Sequence, residues 1–192
     1  EQAWELLLAQ DNGDRNDPNS FAFGDQIVIA FNDVGMQFEH PEFNFDDRFA
    51  GGCDWTIDPR ICFDTGAAVD PFIDIHATAV AGLAIAERDN GIGITGVAPD
   101  AHWFSNKLLP TTPAGTRNVD VGEANALSAY ATPLCGELLG PYESRLGDVF
   151  FSSIDIFNNS WGPVDGLDWR TPASIPGPLA RGAIDAGVDF GR

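Results

Sequence analysis

The sequence predicts an α/β fold with a mostly parallel β-sheet and helices on both of its faces. Short apolar runs typical of buried strands alternate along the chain with segments of helical periodicity. The first run, residues 27–31 in "DQIVIAFND", is continuously apolar, which is typical of a strand covered on both faces. No internal repeat or low-complexity segment indicates a different architecture.

The remaining elements follow from the same patterns. Asp33 lies just past the carboxyl end of the first predicted strand, where open parallel sheets place catalytic groups. The long Gly-, Pro- and Asp-rich segment after it predicts a functional loop with little regular structure. A helix is predicted at 78–87, where Val80, Leu83 and Glu87 fall at helical spacing. Further strands are predicted at 101–109 and 152–160, and further helices at 119–131 and 177–187.

Composition restricts the possible partners. The 192 residues, 44% of them hydrophobic, can bury one core and predict one domain or a large part of one. A formal net charge of −19 argues against nucleic acid and anionic membranes as partners, and cationic peptides or calcium suit it better. The simplest explanation of this acidity is solubility. No apolar run reaches the roughly 18 residues of a membrane-spanning helix, so no membrane insertion is expected. Because the chain begins without Met, we expect it to start inside a longer precursor.

The cysteines leave the cellular compartment open. Cys53 and Cys62 flank a short turn-rich segment that a disulfide could close, and Cys135 would then stay unpaired. No Cys-x-x-Cys or paired Cys/His spacing indicates a zinc site.

Four short pieces occur in an informative order. They are "NDVGMQFEHPEF" (32–43), "HATAVAG" (76–82), "DNGIGITGVAP" (89–99) and "NNSWGPVDG" (158–166). Together they resemble the subtilisin-like serine proteases, and the last piece leans toward the kexin/furin-like branch. The resemblance covers about residues 27–186. It implies a three-layer α/β catalytic domain that hydrolyses peptide bonds with an Asp-His-Ser triad.

The resemblance assigns two catalytic residues. His76 is expected to be the general base that takes the proton of a serine hydroxyl during attack on the peptide carbonyl. Asp33 is expected to accept the other ring N–H and to stabilise the imidazolium. His40 and His102 are interpreted as turn and packing residues.

The same resemblance implies a substrate cleft. Ser160, Trp161 and Gly162 would line it and pair with an extended peptide as an added strand. Asp165 could hold a basic substrate side chain, or it could be an ordinary turn residue before Gly166.

A structural calcium site is also implied. A carboxylate, an amide oxygen and backbone carbonyls form a ligand mixture that suits Ca²⁺. The residues that correspond to these ligands are Glu42 (carboxylate), Asn90 (side-chain oxygen), and Glu87, Ile92 and Ile94 (carbonyls). The early "DNGDRNDP" does not fit EF-hand spacing and is interpreted as a solvated loop.

The nucleophile of the family is missing. Neither Gly-Thr-Ser-x-Ala-x-Pro nor the Asn that stabilises the oxyanion occurs in these residues. We therefore interpret residues 1–192 as a partial catalytic domain, incomplete at its C-terminal end and inactive by itself, in which 1–24 approach the body formed by 25–192. The complete protein is expected to be secreted or at the cell surface and to carry a propeptide.

Two alternatives stay open. Ala77 stands where the family has Gly, and a methyl group there could displace the histidine ring, which leaves room for a non-catalytic pseudoprotease that binds extended peptides. The second alternative is a calcium-dependent structural or adhesion module.

Overall fold

The structure is a computed structural model. It describes residues 2–10, 23–25, 27–43, 45–54, 61–62, 75–109, 154–161, 181–182 and 184–185. The α-helices whose bounds are described are α1 (Gln2–Gln10), α2 (Phe45–Arg48) and α3 (Ile75–Ile85). The strands in these ranges are β1 (Val28–Asp33), β2 (Phe49–Asp54), β3 (Ile61–Cys62), β4 (His102–Lys107) and β5 (Ile156–Asn158). The predicted helix at 119–131 lies outside the described residues, and the described part of 177–187 is helical.

The sheet has the strand order β3-β2-β4-β1-β5. β1 pairs in parallel with β4 and with β5, β2 pairs in parallel with β4, and only the short β3 runs antiparallel. The mostly parallel sheet predicted from the sequence is therefore confirmed. Parallel strands bring their carboxyl ends to one edge, so Asp33, Lys107 and Asn158 end at the same side of the sheet.

Strand alternation determines which residues face α3. Ile29 and Phe31 of β1 and Trp103 of β4 pack in one core cluster with Ala77, Ala81 and Ile85 of α3. Asp33 has the same parity as Ile29 and Phe31, so it lies on the helix-covered face, whereas Asn32 lies on the opposite face. Because side chains alternate strictly, the strand that builds the core also presents its last carboxylate toward α3.

Several predicted boundaries need correction. The strands predicted at 101–109 and 152–160 are shorter, His102–Lys107 and Ile156–Asn158. β1 continues to Asp33, so this residue is the last of the strand rather than a residue beyond it. α3 spans Ile75–Ile85 instead of 78–87, which places His76 within the first turn and Glu87 outside the helix. α3 ends early because the returning chain occupies its last carbonyls: Val97 N donates to Leu83 O at 3.2 Å and Ala98 N to Ala84 O at 2.8 Å.

The segment after Asp33 is more regular than predicted. β2 was predicted as part of a loop, yet it lies beside β4 with a register irregularity between Phe49 and Gly51. An added Cβ at Gly51 would lie 2.6 Å from the Phe104 ring. Only glycine fits this close approach, and glycine at a bulge weakens the strand pattern in the sequence. β3 then places Cys62 opposite Cys53 in the backbone register.

Arg48 connects three segments that are distant in the sequence. Its buried guanidinium donates hydrogen bonds to the carbonyls of Glu42, Ile85, Pro99 and Ala101. Burial lowers the pKa of Arg48, and the negative charges of Glu87 and Asp100 partly oppose that shift. One side chain thereby connects the turn after β1, the end of α3 and the entry to β4.

α1 was not predicted. It forms a small separate apolar cluster with the segment before β1, through Leu8 and Phe23. In the described part of the chain, no helix is long and apolar enough to cross a membrane.

Candidate active site

Asp33 lies at the carboxyl end of β1 and is almost fully buried. Its Oδ1 accepts a hydrogen bond from the backbone N–H of Val34 at 2.7 Å. Its own carbonyl accepts hydrogen bonds from Leu108 N at 2.8 Å and Leu109 N at 3.2 Å. The carboxylate is thus held by strand pairing and by the turn that follows it.

His76 faces this carboxylate from the first turn of α3. Its Nδ1 lies 2.8 Å from Oδ2 and 3.0 Å from Oδ1 of Asp33. Because an ionised carboxylate only accepts hydrogen bonds, Nδ1 carries the hydrogen and Nε2 is left as the basic nitrogen of the neutral ring. The imidazole is 54% exposed, so it is anchored at one edge and open at the other. This is the geometry that a general base needs.

The first turn of α3 is tied to the turn after β1. Thr78 Oγ1 accepts a hydrogen bond from Gln37 N at 2.9 Å. Ala77 is buried in the core beside Phe31 and Met36, and it is not among the described residues with positive φ. The methyl group therefore fits a normal helical position, and the ring of His76 still reaches Asp33. The sequence did not single out Thr78, although it stands inside the "HATAVAG" piece.

The predicted cleft segment follows β5 and lies next to β1. Trp161 Nε1 donates a hydrogen bond to the carbonyl of Asn32 at 2.7 Å. Ser160 is exposed, and its Oγ donates to Asn158 Oδ1 at 2.9 Å. The segment thus contacts the residue that precedes Asp33. Gly162 and Asp165 lie outside the described residues.

The predicted cation ligands lie on the turn after β1, which carries Glu42, and on the segment that follows α3. Glu42 is buried at 6% exposure, and its Oε2 accepts a hydrogen bond from Asn90 Nδ2 at 3.4 Å. The Glu42 carbonyl accepts from Glu87 N at 2.9 Å, and Asn90 Oδ1 accepts from Ile92 N at 3.1 Å. The side chains of Ile92 and Ile94 are exposed. All five residues therefore lie on two neighbouring segments.

The loop is shaped around the Glu42 carboxylate. A Cβ added to Gly93, which has a φ of +51°, would lie 1.6 Å from Glu42 Oε1. The described residues give this buried carboxylate one weak hydrogen bond, from the Asn90 amide, and such a carboxylate fits a hard cation better than it fits solvent. In the described ranges, no group of three or more His, Cys, Asp or Glu side chains is arranged so that it could hold a metal ion. A cation here would therefore depend on carbonyl and amide oxygens beside this single carboxylate.

The other two histidines have different surroundings. His40 Nδ1 accepts a hydrogen bond from Glu42 N at 3.3 Å, and its ring packs against Phe43. His102 begins β4 and is half-buried. Neither ring is paired with a carboxylate by a hydrogen bond among the described residues, unlike His76.

Proteins of similar sequence cover most of this chain. The PC3-like endoprotease variant B of Hydra vulgaris is 32% identical over 171 residues, which cover 88% of this chain and 19% of that protein. Furin-like protease 2 of Drosophila melanogaster is 33% identical over 175 residues, covering 88% of this chain and 8% of that protein. The chain thus spans less than a fifth of the length of these curated relatives. Their names agree with the kexin/furin-like leaning of the "NNSWGPVDG" piece.

Structural similarity agrees with the sequence matches. The crystal structure of fervidolysin from Fervidobacterium pennivorans, a keratinolytic enzyme related to subtilisin, aligns with a TM-score of 0.56 and 19% identity. The alignment covers 96% of this chain and 21% of that one, and at this identity it shows the fold alone. The profile of the Subtilase family matches residues 24–190. The chain belongs to the subtilase family of peptidases.

Proposed function

We propose that this chain contributes the base and the orienting carboxylate to a serine endopeptidase. The observation that carries the proposal is the 2.8 Å contact between His76 Nδ1 and Asp33 Oδ2, made by a ring that is 54% exposed. A buried carboxylate that fixes the tautomer of an accessible imidazole is the arrangement used to activate a serine hydroxyl.

Each residue has a defined part in the proposed reaction. Nε2 of His76 takes the serine proton during attack on the peptide carbonyl and then gives it to the leaving amine. Asp33 stays ionised and stabilises the imidazolium through its contact with Nδ1. Strand β1 and the first turn of α3 hold these two side chains on packed elements, so little reorganisation is needed during the reaction.

The serine in this proposal is supplied by sequence outside residues 1–192. Two observations support this part: the 192 residues contain no Gly-Thr-Ser-x-Ala, and they span less than a fifth of the length of the curated relatives reported above. Without a nucleophile the 192 residues alone would be inactive. In subtilisin, a member of the same family, loss of the serine costs about 10⁶ in kcat.

The substrate proposed is an extended peptide that pairs with the segment around Ser160, Trp161 and Gly162. Backbone pairing with an added strand would give affinity that does not depend on side chains. A carboxylate at Asp165 would favour Arg or Lys in the substrate. The net charge of −19 supports a cationic substrate through long-range attraction.

A structural Ca²⁺ is part of the proposal. Glu42 would supply a carboxylate, Asn90 an amide oxygen, and Glu87, Ile92 and Ile94 carbonyl oxygens. When bound, the ion would neutralise the buried Glu42 charge and stiffen the loop after α3, and it takes no part in the proton transfers. We further propose that the complete protein is secreted or at the cell surface and matures from a propeptide-containing precursor.

The test is cleavage of extended peptides by the complete protein. We expect wild type to cleave, His76→Ala to lose about 10⁶ in kcat, and His102→Gln to keep wild-type activity as the matched loss of an imidazole. Circular dichroism should show that both variants are folded. Full activity in His76→Ala would contradict the proposed role of the ring.

A pseudoprotease is the second candidate, and the missing serine sequence is the observation that favours it. In that case the wild-type protein and the His76→Ala variant would bind an extended peptide with the same affinity, and neither would cleave it. Fluorescence anisotropy with a labelled peptide separates binding from cleavage.

A further inference from the structure

Three asparagine side chains form a chain of hydrogen bonds that runs across the strands at the carboxyl-terminal end of the sheet, beside Asp33. Asn106 Nδ2 donates to Asn32 Oδ1 at 2.8 Å, and Asn32 Nδ2 donates to Asn159 Oδ1 at 3.1 Å. Asn32 and Asn106 are opposite each other in the register of β1 and β4, and both are fully buried at 0% exposure. Asn159 is exposed and belongs to the segment after β5. We call this set the asparagine ladder.

The asparagine ladder is a costly way to join strands. A buried amide loses its hydration, and this loss is offset only while its hydrogen-bonding groups have partners. Two apolar residues facing each other at this place would pack without that requirement, as Ala30 and Phe104 do one step earlier on the same face. What the amides add is a fixed distance and orientation, because each hydrogen bond has a defined geometry.

Asn32 also holds the same segment through its main chain. Its carbonyl accepts the hydrogen bond from Trp161 Nε1 at 2.7 Å. Residues 159–161 are therefore attached to Asn32 at two points, one through Asn159 and one through Trp161. The next residue along β1 is Asp33, which holds His76 at 2.8 Å. Asn32 thus stands between the proposed substrate-binding wall and the proposed catalytic pair.

We propose that Asn32 is a positioning residue that fixes the substrate-binding segment 159–161 relative to the Asp33–His76 pair. This inference rests on the proposed function of that site and deepens it. The Asn32 side chain touches neither substrate nor reacting atoms, and it acts through Asn159. Loss of the asparagine ladder should weaken the binding of an extended peptide and leave the proton transfers of His76 intact.

Two variants of the complete protein remove the asparagine ladder in different ways. Asn159→Ala deletes the exposed acceptor and leaves the buried Asn32 Nδ2 without that partner, so the fold should be kept while the melting temperature falls. The double variant Asn32→Leu/Asn106→Leu removes both amides of the buried hydrogen bond together, so neither of these two side chains is left facing an amide that has lost its partner. We expect each to raise KM for an uncharged extended peptide about tenfold, with kcat within about threefold of wild type, as for loss of uniform binding.

Three controls separate positioning from a merely structural role. Asn159→Asp keeps the accepting oxygen and should restore the wild-type KM. Asn106→Leu alone strands the Asn32 acceptor but leaves the Asn159 contact, so it should lower the melting temperature more than it raises KM. Combining Asn159→Ala with the double variant should raise KM no further, because both changes break the same connection.

The outcome is distinguishable from failure of the proposed function. Affinity for the same peptide, measured by anisotropy in a His76→Ala background, gives a readout that needs no cleavage. If wild type binds peptide without cleaving it, catalysis is contradicted while a tenfold weaker Kd in the two variants still supports the asparagine ladder. Wild-type KM and Kd in both variants would overturn the proposal, as would a wild-type protein that binds no peptide.

Discussion

Two buried carboxylates, Asp33 and Glu42, stand on either side of one turn and differ in how their charge is balanced. Asp33 receives a backbone N–H at 2.7 Å and the imidazole Nδ1 at 2.8 Å. Within the described ranges, the Glu42 carboxylate receives one long hydrogen bond, at 3.4 Å from the Asn90 amide. Both are nearly inaccessible to water. The hydrogen-bonding partners of Asp33 are therefore groups of the chain. At Glu42 the loop after α3 surrounds the carboxylate but balances less of its charge.

We infer that burial of a carboxylate serves a different purpose at each of these two residues. A desolvated carboxylate with complete hydrogen bonding is rigid, and it orients the histidine that it contacts. A desolvated carboxylate with incomplete hydrogen bonding is an attractive ligand for a cation. Substitutions at each site should therefore affect different measurements, activity at Asp33 and calcium-dependent stability at Glu42.

The largest effect is expected from Asp33→Asn in the complete protein. The amide would donate to Nδ1 and hold the ring in the tautomer that has no base at Nε2, so kcat should fall about 10⁴-fold. Peptide hydrolysis measures the loss, and Asp185→Asn is the control for removal of an exposed carboxylate. A loss below tenfold would remove Asp33 from the mechanism.

Glu42→Gln should change stability through calcium. At a calcium concentration of about 100 times Kd, binding would stabilise wild type by about 2.7 kcal/mol, and the variant should lose most of that gain. Thermal unfolding with and without a chelator measures the difference. Glu39→Gln is the matched control, because Glu39 is an exposed carboxylate on the same turn. Equal calcium responses in wild type and Glu42→Gln would contradict a site at Glu42.

Two glycines of the loop after α3 differ in how close they lie to the Glu42 carboxylate. Gly91 and Gly93 both have positive φ, but an added Cβ meets nothing within 4 Å at Gly91 and collides with Glu42 at Gly93. Gly91→Ala should cost about 1 kcal/mol of unfolding free energy, and Gly93→Ala about 2–3 kcal/mol. Denaturant unfolding measures both. In a Glu42→Ala background the two costs should converge, and a persistent difference would mean that another contact shapes the loop.

A third carboxylate, Asp100, has a full charge partner but lies partly in solvent. Arg88 Nε and Nη2 contact it at 3.0–3.1 Å, and the guanidinium lies 4.3 Å from the centre of the Phe23 ring. The hydrogen bond with Asp100 raises the pKa of Arg88. Solvent screening should limit the cost of Arg88→Gln to about 1 kcal/mol in denaturant unfolding. A cost as large as that of Gly93→Ala would contradict this ranking.

The sequence predicted the central elements of the fold better than the segment between them. β1, β4 and α3 were predicted because their apolar residues follow simple periodicities. β2 was missed because Gly51 and Gly52 have no side chains to show the alternation of a strand, and they are required there by the close approach of β4. Arg48 gave no signal because its partners are carbonyls brought together from distant parts of the chain.

Some residues of the candidate site were likewise predicted from the sequence, and others were not. Asp33, His76 and Glu42 were predicted as site residues because they stand in short pieces whose order resembles that of the family. The asparagine ladder was missed, although "AFND" and "FSNK" each place an amide in or directly beside a predicted strand. A polar residue in a buried strand predicts a partner, but the register that joins Asn32 to Asn106 and Asn159 depends on tertiary structure.

Labelling of the complete protein with a fluorophosphonate tests the central proposal most directly, since this reagent reacts with a serine only when a base has activated it. Mapping of the adduct should identify one serine, outside residues 1–192, and His76→Ala should abolish the labelling. A folded wild-type protein that takes up no label, or labelling that persists in His76→Ala, would contradict the role of Asp33 and His76 as two members of a catalytic triad.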